Sequence, residues 1–112
     1  MDKIRIVLCC GAGMSSGFLA NAVKKAAKKK NMNVVVSAHA ESDVMSVVKE
    51  GVDIMCIGPH YAPRYDTYKE LCTAYGTEVI VIPKDIYGTL DGTGLLDYVN
   101  EHLEKVSREK EN

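Results

Sequence analysis

The chain has 112 residues, the size of a single domain, and we expect one domain over residues 1–112. Apolar residues make up 46% and charged residues 26%, and the formal net charge is −1. This composition is ordinary for a globular protein. A near-neutral balance argues against a dedicated nucleic-acid binder. Since no apolar run approaches the roughly 18 residues of a membrane helix, we expect a cytoplasmic protein without direct membrane insertion.

Short β-branched runs alternate with amphipathic stretches along the chain. The runs predict strands at 4–9, 34–38, 52–57 and 79–82. Helical spacing predicts helices at 18–30, with Ser15 or Ser16 as N-cap and Phe18 on the core side, then after Ser42 or Asp43, at 64–75 and at 95–107. Residues 84–94, with three glycines, are predicted to be a loop, and residues 108–112 a frayed tail.

The alternation of strands and helices predicts a three-layer α/β fold, with a four-stranded parallel sheet between helices on both faces. Right-handed crossovers and the small number of strands favour the strand order 2-1-3-4. Ligands of such sheets bind at the carboxyl ends of the strands, where the order reverses between strands one and three. Residues 10–16 and 58–63 meet at that point.

Cys10 stands where the first strand ends, before two glycines and the start of a helix. Backbone N–H groups of such a turn, together with the positive end of the helix dipole, form an anion pocket. The same field favours the thiolate, so the pattern is typical of phosphoryl transfer through a phosphocysteine. The other interpretation is an inert cysteine in a packing turn, and the local pattern leaves both open. Cys9, Cys56 and Cys72 are predicted to be core residues.

A thiolate at such a junction is also found in Cys-dependent tyrosine phosphatases, where an arginine follows six residues after the cysteine. Here the sixth residue after Cys10 is Ser16. Without a guanidinium fork the transition state for hydrolysis loses much of its stabilisation. The loop therefore favours a phosphate carrier over the alternatives, which are a phosphatase or arsenate-reductase-like hydrolase and a thiol-redox or binding module.

Four segments together carry a family resemblance that covers essentially the whole chain. Residues 10–16 (CGAGMSS) resemble the phosphocysteine loop of enzyme IIB in the lactose/cellobiose family of the bacterial phosphotransferase system. Residues 53–59, 79–82 and 86–92 resemble, in order, its third strand with a Gly-Pro exit, its fourth strand and its Tyr-Gly…Gly loop. The family's fold is similar to that of low-molecular-weight tyrosine phosphatases.

The resemblance implies a relay of the phosphoryl group. Enzyme IIA donates it from a phosphohistidine to Cys10, which passes it to a sugar bound in the membrane component, enzyme IIC. The sugar would be a β-linked disaccharide such as cellobiose, chitobiose or lactose. The resemblance also implies that the phosphoryl oxygens are held by Gly11, Ala12, Gly13, Met14, Ser15 and Ser16.

Three further residues are possible supports of the site: Pro59, His60 and Tyr87. His60 departs from the family pattern, in which a polar residue such as Gln is expected. It either donates a hydrogen bond to the phosphoryl group, contacts a partner, or is a surface loop residue, and we favour the last. His39 and His102 have no metal-ligand company in the sequence, so we expect no metal site and no cofactor.

Overall fold

The computed structural model of the chain describes residues 3–10 and 14–111. For residues 10, 14–16, 110 and 111 it describes the backbone but not the side chains. The strands are β1 (Ile4–Cys10), β2 (Val34–Ala40), β3 (Ile54–Ile57) and β4 (Glu78–Val81). The helices are α1 (Met14–Lys29), α2 (Val44–Glu50), α3 (Tyr65–Thr73), α4 (Lys84–Gly88) and α5 (Gly92–Glu111), and a 3-10 segment covers Pro59–Arg64.

The four strands form one parallel sheet in the order β2-β1-β3-β4, which confirms the predicted topology. The register pairs Cys10 with Ala40 on β2, and Cys9 with Ile57 on β3. β1 is therefore an inner strand, and its last residue lies at the edge where the carboxyl ends of the strands meet. We call this the carboxyl edge of the sheet.

Successive side chains of β1 point to opposite faces of the sheet, so the sheet has a core on each face. Ile6 and Leu8 pack with α1 and α5 on one face. Val7 and Cys9 pack with α2 and α3 on the other. Burial on both faces explains why β1 and β3 read as nearly continuous apolar runs.

Helix α1 differs from the prediction at its beginning. It starts at Met14, so Ser15 and Ser16 are residues of the helix and not its N-cap. Phe18, predicted to face the core, is 62% exposed, whereas Leu19 and Val23 are fully buried. The buried stripe of this helix runs through Leu19, Ala20, Val23, Ala26 and Ala27, and Phe18 lies outside it.

The predicted loop at 84–94 is wrong, because most of it is helical. Lys84–Gly88 form α4, and α5 begins at Gly92. The Asp91 carboxylate accepts a hydrogen bond from the Gly94 N–H at 2.9 Å, the bond of a helix N-cap. At the other end, residues 108–111 continue α5, where a frayed tail was expected.

Among the helices of the described residues, none has the length and apolarity needed to cross a lipid bilayer.

Candidate functional site

The backbone places Cys10 at the carboxyl edge, between the ends of β2 and β3. Residues 11–13, which connect it to the first residue of α1, lie outside the described residues, as do the side chains of Cys10, Met14, Ser15 and Ser16. The phosphate contacts predicted for Gly11 to Ser16 therefore remain predictions. The described backbone gives the strand end at Cys10 and the start of a 16-residue helix at Met14.

Pro59 and His60 begin the 3-10 segment directly beside this strand end. The Gly58 N–H donates a hydrogen bond to the Cys9 carbonyl at 3.2 Å. The chain therefore continues from the end of β3 into the 3-10 segment next to Cys10. A Cβ on Gly58 would lie 3.0 Å from Cε1 of His60, which means that the imidazole ring lies against the glycine. Because residue 58 is a glycine, the His60 ring can occupy the space that a side chain would fill.

Tyr87 joins this group from α4. Its ring centroid is 5.7 Å from that of His60 in an edge arrangement, and the Tyr61 ring is 4.7 Å from His60 on another side. An open cavity of about 560 Å³ lies beside them, lined by Pro59, His60, Pro63, Lys84, Tyr87 and Gly88. The three supporting residues predicted from the sequence thus lie together, and Lys84 is a neighbour that the sequence analysis missed.

A second group of polar side chains lies on the α3 face of the same edge. Glu41, which follows the last residue of β2, forms an ion pair with Arg64. Burial raises the pKa of Tyr68 above its ordinary value, and its hydrogen bond to Glu41 adds to the shift. Tyr68 also bonds to the Cys9 side chain. Neither Glu41 nor Arg64 was predicted from the sequence. For Glu41, its place directly after the end of a strand was the available signal.

Cys9, Cys56 and Cys72 are buried, as predicted. Burial raises the pKa of the Cys56 thiol far above its ordinary value and raises that of Cys72 in the same direction. A thiol held in its neutral form is a poor nucleophile. The chemistry predicted for a cysteine therefore has no support at Cys56 or Cys72.

The other two histidines are bonded to side chains outside this group, although His39 pairs in register with Cys9 on the neighbouring strand. His39 Nε2 lies 2.9 Å from the Ser37 hydroxyl, and His102 Nε2 lies 3.0 Å from a carboxylate oxygen of Glu78. Within the described part of the chain, no cluster of three or more His, Cys, Asp or Glu side chains could hold a metal ion.

Comparisons with known proteins agree on one family. The family model described as "PTS system, Lactose/Cellobiose specific IIB subunit" matches residues 5–98. A "PTS system lactose-specific EIICB component" of Staphylococcus aureus is 32% identical over 111 residues, which cover 92% of this chain and 18% of that protein. The chain thus spans less than a fifth of the length of that curated relative.

Several solved structures resemble this chain, at different levels of sequence identity. The solution structure of a cellobiose-specific phosphotransferase IIB component from Borrelia burgdorferi is 31% identical, with a TM-score of 0.68 over 86% of this chain and 87% of that one. A lactose-specific IIB domain from Streptococcus pneumoniae, at 22% identity, shares the fold, with a TM-score of 0.76 over 90% of this chain and 98% of that one. A YwlE mutant from Bacillus subtilis, 14% identical with a TM-score of 0.56 over 92% and 99%, shares the fold alone.

Proposed function

Because the chain belongs to the lactose/cellobiose-specific IIB family of the phosphotransferase system, a family of phosphotransferases, we propose that Cys10 is its phosphoryl carrier. In this proposal residues 1–112 act as one cytoplasmic IIB-type domain. A IIA protein supplies the phosphoryl group from a phosphohistidine, and a IIC component presents the sugar that receives it.

The placement of Cys10 is the single observation that carries this proposal. It is the last residue of an inner strand, at the carboxyl edge and four residues before Met14, where a helix begins. Parallel α/β sheets bind their ligands at this edge. A helix start supplies unpaired N–H groups and the positive end of a dipole, which stabilise both a thiolate and a phosphoryl dianion.

Each transfer is an in-line displacement at phosphorus. In the first, the Cys10 thiolate attacks, the S–P bond forms and the N–P bond of the donor phosphohistidine breaks. In the second, a sugar hydroxyl attacks, an O–P bond forms, and the S–P bond breaks to return the thiolate. Neither step needs an oxidant or a metal ligand from this chain, since positioning and charge stabilisation lower the barrier.

The names of the relatives support the choice of partners and substrate. The Staphylococcus aureus relative is called a lactose-specific EIICB component, which favours a IIC partner for this chain. The Borrelia burgdorferi relative is called cellobiose-specific. We therefore propose a β-linked disaccharide, with cellobiose, chitobiose and lactose as the candidates to test.

The experiment is phosphorylation of the purified chain by phosphoenolpyruvate through enzyme I, HPr and IIA. Two IIA proteins, one of the lactose type and one of the cellobiose type, are used as donors. We expect the intact mass to rise by one phosphoryl group and peptide mapping to place it on Cys10. The Cys10→Ser variant should remain unmodified, and the matched Cys56→Ala variant should be phosphorylated like the wild type.

Two results would contradict the proposal. The first is an unmodified wild-type chain after incubation with both donors, when the donors themselves carry phosphate. The second is rapid, Cys10-dependent hydrolysis of a chromogenic phosphate ester, which would favour the hydrolase instead.

A further inference from the structure

The outer edge of β2 has no strand beside it among the described residues. The sheet order places β2 first, and all seven of its residues pair with β1 on their other side. The Ile4 N–H donates to the Asn33 carbonyl, and a parallel strand bonds to one neighbour through alternate residues. The main-chain N–H and C=O groups of Val34, Val36 and Ala38 therefore face outward, away from β1.

The sequence of β2 lacks the features that usually keep an edge strand from pairing. It reads VVVSAHA, with no lysine, proline or glycine, and its register with β1 is continuous, without a bulge. The other edge strand, β4, has only four residues and begins with Glu78. Short length, charge, proline and bulges are the means by which natural sheets protect their edges. Since β2 has none of them, its outer edge is suited to accept a further strand.

Exposed apolar side chains lie on both faces of the sheet at this edge. Val36 packs in the core on the α1 side, so its neighbour Val35 points to the α2 side, where it is 42% exposed. On the α1 side, Phe18 is 62% exposed. An open groove of about 520 Å³ lies between α1 and β2, and its lining includes Phe18, Lys24 and Ala38. A strand added to β2 would therefore cover apolar surface on each face of the sheet.

The α1 side of this edge is positively charged. Helix α1 contains no acidic residue, although the net charge of the chain is −1. Its exposed face carries four lysines: Lys24, Lys25, Lys28 and Lys29. None of the four forms an ion pair with a side chain that the structure describes. On the α2 side, the cavity beside Val35 has Arg5 and Glu50, one charge of each sign, in its lining. An added strand thus fits with acidic side chains toward α1 and apolar side chains toward α2.

Charge also distinguishes between the occupants that this edge could take. A second copy paired antiparallel through β2 would be related by a two-fold axis perpendicular to the sheet, which places both α1 helices side by side on one face. Two sets of four lysines would then lie close together, with no acidic residue of α1 between them. A lipid surface would attract the lysines but offers no strand to the outward N–H and C=O groups. An extended acidic peptide satisfies both features.

We propose that the outer edge of β2 binds an extended segment of a partner protein in which acidic and apolar residues alternate. The segment adds a fifth strand, with its main chain bonded to Val36 and Ala38. Its acidic side chains lie toward Lys24 in the groove, and its apolar side chains cover Val35. No chemistry at Cys10 is involved, so this inference goes beyond the proposed function and does not depend on it.

The probe is a peptide as long as β2 in which valine and glutamate alternate, acetylated and amidated at its ends. Amide hydrogen exchange of the full chain, followed by NMR, measures its effect residue by residue. The outward amides of Val36 and Ala38 should exchange roughly tenfold more slowly at a peptide concentration about ten times the Kd, because exchange there requires the peptide to leave. The amides of Val35 and Ser37, which are directed to β1, should change less.

Matched controls separate the proposed contacts from general effects of charge. Lys24→Glu places an acid in the groove and should weaken binding of the peptide by about threefold or more. Lys105→Glu, at an exposed lysine of α5, changes the net charge equally and should bind the peptide like the wild type. Since both positions are exposed, neither substitution should disturb the fold. A peptide with lysine in place of glutamate should leave the exchange of Val36 and Ala38 unchanged.

Three results would overturn this inference. The first is unchanged exchange at Val36 and Ala38 with the acidic peptide at about 1 mM, and sedimentation with phosphatidylglycerol vesicles then shows whether the lysines bind a lipid surface instead. The second is equal protection by the lysine peptide. The third is protection without peptide that rises with the concentration of the chain, which would assign the edge to a second copy. All three leave the phosphorylation of Cys10 as a separate question.

Discussion

At the scale of single residues, Tyr68 joins the ends of β1 and β2 on the α3 face of the sheet. Its hydroxyl bonds to Glu41, the residue after β2, and to the side chain of Cys9, the neighbour of Cys10 in the chain. The Arg64 guanidinium pairs with the same Glu41 and lies 5.7 Å from the centroid of the Tyr68 ring. One phenol thus couples β1, β2 and α3 at the edge where the thiol is expected to react.

The Tyr68→Phe variant removes the hydroxyl and leaves the ring. We expect the free energy of unfolding to fall by about 1 kcal/mol or more, because a hydrogen bond to a charged, partly buried carboxylate is lost. Urea denaturation at pH 7 measures the change. The matched control is Tyr75→Phe, whose side chain is 47% exposed and should change stability by about 0.5 kcal/mol or less. Equal losses in the two variants would contradict the role assigned to Tyr68.

Single residues also show where the sequence was informative. Cys10 could be placed at the strand end because an apolar run followed by glycine fixes where a buried strand stops. The contact of His60 with Gly58 could not be predicted, since it depends on the side-chain conformation of His60 across a turn of the 3-10 segment. Phe18 was misplaced because helical spacing alone does not show how wide the buried stripe of a helix is.

At the scale of elements, helices α1 and α5 approach each other closely at Gly92. A Cβ on Gly92 would lie 2.2 Å from the carbonyl carbon of Ala22 and 2.3 Å from its oxygen. No side chain fits there without movement of one of the two helices. The first turn of α5 is therefore packed against the helix that begins at the Cys loop.

The Gly92→Ala variant tests this contact. We expect a loss of stability of about 1–3 kcal/mol, because the added methyl group overpacks the helix contact. Thermal denaturation followed by circular dichroism measures it. Gly17→Ala is the control, since nothing lies within 4 Å of a Cβ at that helical position.

In contrast to Gly92→Ala, the Gly17 variant should be neutral or more stable by up to about 1 kcal/mol. A Gly92→Ala variant as stable as the wild type would show that the two helices separate easily at this point.

The elements themselves were predictable to different degrees. Strand order followed from the alternation of buried runs with helices, because right-handed crossovers leave few topologies for four strands. The start of α5 was missed because glycines at 92 and 94 suggested a loop. In the structure Asp91 caps that helix and Gly92 allows its close packing, so both residues have reasons that the local pattern does not show.

At the scale of the whole molecule, buried thiol and phenol groups make the stability of the fold depend on pH in the alkaline range. Burial raises the pKa of Cys56 and Cys72 above the ordinary 9.0, and that of Tyr68 above the ordinary 10.0. These groups keep their protons in the folded chain and lose them in the unfolded chain once the pH exceeds those ordinary values. The stability they confer is present at lower pH and is lost as the pH rises.

We therefore expect the free energy of unfolding to fall as the pH rises above about 9, with a steeper fall above about 10 when Tyr68 contributes. Urea denaturation at pH 8, 9.5 and 10.5 measures this dependence. The Tyr68→Phe variant lacks the phenol, so the stability difference between it and the wild type should shrink from pH 8 to pH 10.5. A difference that stays constant over that range would refute the assignment to Tyr68.

The direction of α5 has a practical consequence. The helix follows α4 at the carboxyl edge, and ten residues after its start His102 bonds to Glu78, the first residue of β4 at the opposite edge. A tether joined behind Glu111 would therefore leave from the side away from Cys10. Anchored to a sensor chip by such a tether, the domain would offer the carboxyl edge of its sheet to a partner flowing past in solution.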